Sequence, residues 1–170
     1  RGGNKRLVLD CPRSECNSPR WYPDGQKLAY ERLDDATEVL VPRFSIWWLE
    51  FVTGETSPMF QDSALASYAP QFSPDGTWLS YISSADNTLI IFNLVNSETR
   101  RVPLGSQAVL PGGWSPDSKA VLFGSQETGG SLRMKVYEMD SAKTNALGGP
   151  EGSTDYYGAW SPDGEWIAVD

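Results

Sequence analysis

The chain is 170 residues long, with 39% hydrophobic and 12% aromatic residues, enough apolar surface for one packed domain. A formal net charge of −8 argues against a nucleic-acid backbone or an anionic membrane surface as partner, since both call for clustered Lys and Arg. The absence of histidine excludes a Ser-His-Asp or Cys-His arrangement built from this chain alone.

No apolar run reaches the length of a membrane span, so no membrane insertion is expected, and the start shows no signal-peptide pattern. The first residue is Arg1 rather than Met, as expected of a chain that is processed, trimmed or cut from something longer. Residues 1–9 read as the last strand of a repeat unit, because Lys5-Arg6-Leu7 lines up with Arg100-Arg101-Val102. A loop follows from Asp10 to Pro19 and holds both cysteines, Cys11 and Cys16. With no third thiol, structural zinc is not expected, and neither is any other metal or cofactor. The pair reads as a loop-stapling disulfide of an exported protein, or as two free thiols of a cytoplasmic one. The disulfide is preferred, because these are the only thiols and they share a short loop.

From Trp21 onward one pattern is written four times. The copies are Trp21-Tyr22-Pro23-Asp24-Gly25, Phe72-Ser73-Pro74-Asp75-Gly76, Trp114-Ser115-Pro116-Asp117-Ser118 and Trp160-Ser161-Pro162-Asp163-Gly164. Pro presets φ for the first turn position, Asp suits the second, and Gly takes positive φ freely. This is hairpin chemistry with a left-handed third loop residue, so the four Asp residues read as turn formers rather than ligands. Ser118 stands where the other copies have Gly. If it is left-handed, Ser118→Gly should be neutral or stabilising by at most about 1 kcal/mol.

Beyond each turn the residues alternate as strands do. Leu28, Leu79, Val121 and Ile167 form one column, and Tyr30, Tyr81, Phe123 and Val169 another. A polar column then recurs at Glu50 to Thr56, Asn93 to Thr99 and Glu138 to Thr144, each time after an apolar run. One period of about 40–50 residues therefore holds four short antiparallel strands, here A to D, which is a propeller blade.

Residues 20–60, 71–104 and 113–147 read as complete blades, and 158–170 as strands A and B of a fourth. Pro58 and Pro103 fall in D strands, at the blade edge, where a missing N–H is tolerated. The first B–C loop, Arg32 to Glu38, carries three acids and reads as a solvated tip. Gly129-Gly130 lacks the helix and lysine of a phosphate cradle. The expected fold is all-β: a β-propeller of four-stranded antiparallel blades, and a segment of a larger propeller. A chain that starts at strand D and ends at strand B lacks the strand C between them. Further blades in the same parent chain, or self-association through open edges, are therefore expected.

The Trp-Ser-Pro-Asp-Gly pattern resembles the Pro-Asp variant of the WD-type repeat found in the β-propeller of the TolB family. That resemblance implies a periplasmic, partner-binding role. No catalytic constellation and no Gly-x-Ser-x-Gly elbow is present. Function is expected on the D–A loops, which carry Arg13, Arg20, Tyr68, Asp155, Tyr156 and Tyr157, residue types favoured at interface anchors. Strand alternation lets only one of Tyr156 and Tyr157 face outward. The leading reading is a non-catalytic scaffold for a protein or peptide ligand. The alternatives are the gating propeller of a prolyl-oligopeptidase-type serine hydrolase and a glycan- or cation-binding propeller.

Overall fold

The computed structural model describes residues 7–34, 43–61, 66–105, 111–127, 130–149 and 154–170. All the regular structure in them is β. The first sheet orders β1 (Ser14–Trp21), β2 (Lys27–Asp34), β3 (Phe44–Glu50) and β4 (Thr56–Pro58). The second orders β5 (Ser67–Phe72), β6 (Trp78–Ser83), β7 (Thr88–Asn93) and β8 (Thr99–Pro103). The third repeats the order with β9 (Pro111–Trp114), β10 (Ala120–Gln126), β11 (Leu132–Glu138) and β12 (Thr144–Ala146). A two-stranded sheet of β13 (Gly158–Trp160) and β14 (Ile167–Val169) follows. Every pairing is antiparallel.

The four Pro-Asp turns close alike. The N–H of Gly25, Gly76, Ser118 and Gly164 donates to the carbonyl three residues back, each at 2.9 Å. All four have positive φ, from 62° at Ser118 to 75° at Gly164. In three copies the Ser hydroxyl donates to the turn Asp and accepts the N–H that opens strand B. Tyr22 replaces that Ser in the first copy and reaches outward instead, donating its hydroxyl to the Gly76 carbonyl of the next sheet at 2.9 Å. A Cβ on Gly76 would lie 2.9 Å from the Tyr22 oxygen, so this turn needs glycine for space as well as for φ.

Alternation assigns each strand two faces, and the sheets stack face to face in chain order. Ala29, Ile46 and Trp48 of the first sheet meet Leu79, Tyr81 and Phe72 of the second. Ile82, Leu89, Ile91 and Leu104 then meet Trp114, Val121, Phe123 and Tyr137 of the third. Leu122, Met134 and Val136 meet Trp160 and Ile167. Leu28, Tyr30 and Leu49 look the other way, covered by Leu9 and Cys16. Leu79, Tyr81, Val121, Phe123 and Ile167 of the two sequence columns thus face the preceding blade. The A strands β1, β5, β9 and β13 neighbour one another in turn, giving the inner side of a propeller arc.

Strand A starts further upstream than the prolines suggest. β1 begins at Ser14 and runs through Pro19; β5 begins at Ser67 and runs through Pro70. Each absorbs its proline in a bulge, with a register shift between Asn17 and Arg20 and between Tyr68 and Gln71. Ser18 and Ala69, just before the prolines, are left-handed at φ 51° and 57°. The bulge lets a residue with no N–H sit in a paired strand. Residues 7–9 form no strand, and the rest of the 1–9 strand reading lies outside the described residues. So do residues 35–38 of the first B–C loop, while Arg32, Leu33 and Asp34 belong to β2.

Candidate functional site

The D–A loops and B–C connections meet on one rim. Ser84 N–H donates to Ala66 O, Asn87 side-chain nitrogen to Gly105 O, and Ser125 hydroxyl to Leu104 O, all between 2.8 and 2.9 Å. The expected contact residues fall at three places along it, except Arg20, which sits at the far end of β1 beside the first Pro-Asp turn, pairing with Ala29. Arg13 lies in the turn before β1. Arg20 lies within β1 and donates to the carbonyl of Pro19 at 3.1 Å. Both are exposed. Tyr68 is in β5 rather than in a loop, half-buried, with its ring 6.4 Å from that of Phe44. Burial pushes its phenol pKa up, and the Glu31 carboxylate adds to the effect.

Glu31 is a member of this rim that the sequence did not single out. It is 8% exposed, and its carboxylate accepts the N–H of Ala69 at 2.6 Å, holding the β5 bulge against the first sheet. Its signal was an acid inside the apolar column of β2, a position that calls for a partner when buried.

The third place is the loop into β13. Asp155 was expected as a displayed contact, but it is 8% exposed. Its carboxylate accepts the Met134 N–H at 3.1 Å and lies 3.7 Å from the Arg133 guanidinium. Its own N–H donates to Leu132 O at 2.9 Å. Asp155 is an anchor. Beyond it Tyr156 and Tyr157 are 59% and 64% exposed. Both rings face solvent because residues 154–157 are outside any strand, so the alternation expected for them does not apply. Asp170 fixes this stretch by accepting the N–H groups of Tyr156 and Tyr157 at 3.2 and 2.8 Å.

The opposite, turn face carries a cavity of about 300 Å3 between the third and fourth sheets, with Asp117, Glu138, Asp140, Asp163, Lys119 and Trp160 on its wall. Asp117 and Asp163 each use one oxygen for the Ser hydroxyl and the backbone N–H of their own turn. Among the described residues no group of three or more His, Cys, Asp or Glu is placed to hold a metal.

Four Pro-Asp turns, sheets ordered A to D and blades stacked in sequence agree with the family model that matches residues 1–170, the TolB beta propeller domain. The chain belongs to this TolB beta propeller family. TolB from Acinetobacter baumannii has the same architecture, with a TM-score of 0.75 and 27% identity. That match covers 99% of this chain and 40% of the A. baumannii one. The putative TolB of Agrobacterium tumefaciens also superposes with a TM-score of 0.75, at 20% identity over 96% of this chain and 56% of its own. A Bacillus subtilis relative, described as the uncharacterized peptidase YuxL, is 31% identical over 110 residues, 61% of this chain and 16% of that protein. The chain thus spans well under two thirds of each relative's length.

Proposed function

We propose that the chain is a non-catalytic propeller module that binds a protein or peptide on the rim of its D–A loops. The observation that carries this reading is the loop at Asp155. A buried, hydrogen-bonded carboxylate fixes the backbone, and two tyrosines beside it stay exposed. Rigid aromatics of this kind give contact area at little entropic cost. Arg13 and Tyr68 extend the surface along the same rim, with Asp155 as support, whereas Arg20 lies at the turn end of β1 and is left out of it. A periplasmic or extracellular setting fits the family resemblance and the cysteine pair. Trp21 is 54% exposed, whereas its column partners Trp114 and Trp160 each bond to the preceding sheet. A further blade against Trp21, from the same polypeptide or another copy, fits that contrast.

Selection of displayed peptides against the chain tests the rim. Peptides that bind wild type should lose at least tenfold in affinity on Tyr156→Ala/Tyr157→Ala, and less on substitution of the exposed turn residue Val52. Equal affinity for wild type and the tyrosine variant overturns the reading. The likeness to the B. subtilis peptidase supports a second reading, a propeller that gates a separate hydrolase domain. A parent protein that hydrolyses chromogenic peptides through a serine outside this segment would favour it.

A further inference from the structure

We propose that the cavity between the third and fourth sheets receives an alkylammonium or alkylguanidinium group, the chemistry of a lysine or arginine side chain. It lies on the turn face, opposite the rim, so this inference is independent of the rim reading. Its volume, about 300 Å3, is at the small end of ligand pockets and suits one side chain.

The repeat explains why this junction is open. The second residue after each turn Gly or Ser is Lys27, Trp78, Ala120 or Trp166. In the first three blades it faces the next sheet. At the first junction Lys27 fills the place, its ammonium 4.4 Å from the Trp48 ring centre and 5.0 Å from that of Tyr22. At the second, Trp78 fills it, with the Arg100 guanidinium 5.0 Å from its ring centre and bonded to Met139 O of the third sheet. Both junctions therefore close with a cation on an aromatic ring. At the third, Ala120 supplies only a methyl, while Trp160 still stands on the wall. The ring is kept and the cation is not. Strand C of a following blade does not take that space. Leu94 and Met139 hold equivalent places there, their N–H groups donating to Thr77 O and Lys119 O. Leu94 packs alongside Trp48, and Met139 alongside Trp78, without displacing either cation pair.

The wall carries the charge such a ligand needs. Asp117, Glu138, Asp140 and Asp163 stand against one ammonium, that of Lys119. Lys119 is exposed and sits one residue before the Lys27 place. Glu138 is committed to the Ser141 hydroxyl and the Asn145 side-chain nitrogen. The turn bonds of Asp117 and Asp163 fall on Oδ1, which leaves Oδ2 for the ligand. A cation on an aliphatic stem needs only one or two of these oxygens, and it gains further from an indole face.

The test is an NMR titration of the isotope-labelled whole chain with butylammonium and with the blocked tripeptides Ala-Lys-Ala and Ala-norleucine-Ala. The Trp160 indole N–H and the Lys119 and Gly164 amides should shift saturably with butylammonium or the lysine peptide. The tighter of those two names the source of the cation, a free amine or a polypeptide. The norleucine peptide has a similar stem and no charge, and should bind at least tenfold more weakly than the lysine peptide. Ala120→Lys puts the chain's own ammonium where Lys27 sits and should abolish the shifts. Asp140→Asn, at an exposed position that leaves the fold intact, should weaken binding at least threefold. The site is overturned by the lack of a saturable shift with either cation or by equal binding of the norleucine peptide. Wild-type affinity in Ala120→Lys or in Asp140→Asn overturns it as well.

Discussion

The indole N–H of Trp114 donates to the carbonyl of Gln71 at 3.1 Å, crossing from the third sheet to the second. Trp160 repeats the bond one blade on, reaching Gly113 O at 3.4 Å. In both cases the acceptor is the residue just before the aromatic of the preceding A strand. The aromatic column therefore does more than fill the wedge between blades. At Trp114 and Trp160 it also satisfies an inner-strand carbonyl and fixes the stagger of adjacent sheets. Phe72 in the same column has no such donor and instead stacks on Trp48, with centroids 5.2 Å apart.

Trp114→Phe should keep most of the packing and lose the bond. A buried neutral hydrogen bond contributes about 1 kcal/mol, so the expected cost is of that order. Trp114→Ala should cost about 3–5 kcal/mol, since it also opens a cavity in the junction. Urea unfolding of both variants measures the difference. A Trp114→Phe variant as stable as wild type would mean that the indole N–H does nothing and packing does everything.

Ser118 has φ 62°, so the left-handed turn expected of it is present. Its expected tolerance of glycine is revised by a contact no local pattern reveals: the Ser118 hydroxyl accepts the Asp75 N–H at 3.1 Å, from the turn of the preceding blade. Ser118→Gly relieves steric cost but loses this inter-sheet bond and adds unfolded-state freedom. The bond, about 1 kcal/mol, and the added freedom, about 0.4–1 kcal/mol, nearly offset the strain relieved, about 1–2 kcal/mol, so stability should change by no more than about 0.5 kcal/mol. Ser118→Ala should be worse, because it keeps the strain and loses the bond. A Ser118→Gly variant more stable than wild type by a larger margin would show that strain outweighs the hydroxyl.

The contrast between what could and could not be read is physical. Leu28, Leu79, Val121 and Ile167 were legible because a two-residue period and a fixed offset from the turn decide which face they take. The bulges at Ser18-Pro19 and Ala69-Pro70 were not, because proline marks a loop and a bulged strand equally well. Asp155 looked displayed because its loop is polar. Its burial depends on Met134, in a strand whose approach no local signal records. The turn Asp residues were legible for the same reason as the turns themselves, since their partners lie within the same short stretch.

Ala69 gives a test of stored strain. It is left-handed at φ 57° and precedes a proline, a combination that costs an L-residue about 1–2 kcal/mol. Glu31 holds the bulge through the Ala69 N–H, which glycine retains. Ala69→Gly should therefore stabilise by about 0.5 kcal/mol once unfolded-state entropy is subtracted. Glu31→Gln, which weakens a charge-assisted bond to a neutral one, should destabilise by about 1 kcal/mol. Thermal unfolding of both variants provides the readout, and a destabilised Ala69→Gly would place the methyl's packing above the strain.

The turn carboxylates predict the acid limb of stability. The Ser115 hydroxyl first, then the Lys119 N–H, hold the Asp117 pKa below the usual carboxylate range. The Ser161 hydroxyl and the Glu165 N–H do the same for Asp163. At Asp75 burial pushes upward, but the Ser73 hydroxyl together with bonds involving Thr77 and Ser118 outweighs it. A group whose pKa is lower folded than unfolded binds more protons when unfolded. Its stabilisation is complete above the unfolded value of about 3.9 and is lost as pH falls through the folded value. Melting temperature should thus be insensitive to these groups between pH 6 and 8 and should fall below about pH 4. Ser115→Ala removes the largest cause at Asp117, so its carboxyl should titrate closer to 3.9 by NMR, and the loss attributable to that turn should shrink. The variant also removes the acceptor of the Ala120 N–H, so its neutral-pH stability should drop by about 1 kcal/mol. An unchanged Asp117 titration in Ser115→Ala would transfer the effect to the backbone N–H of Lys119 alone.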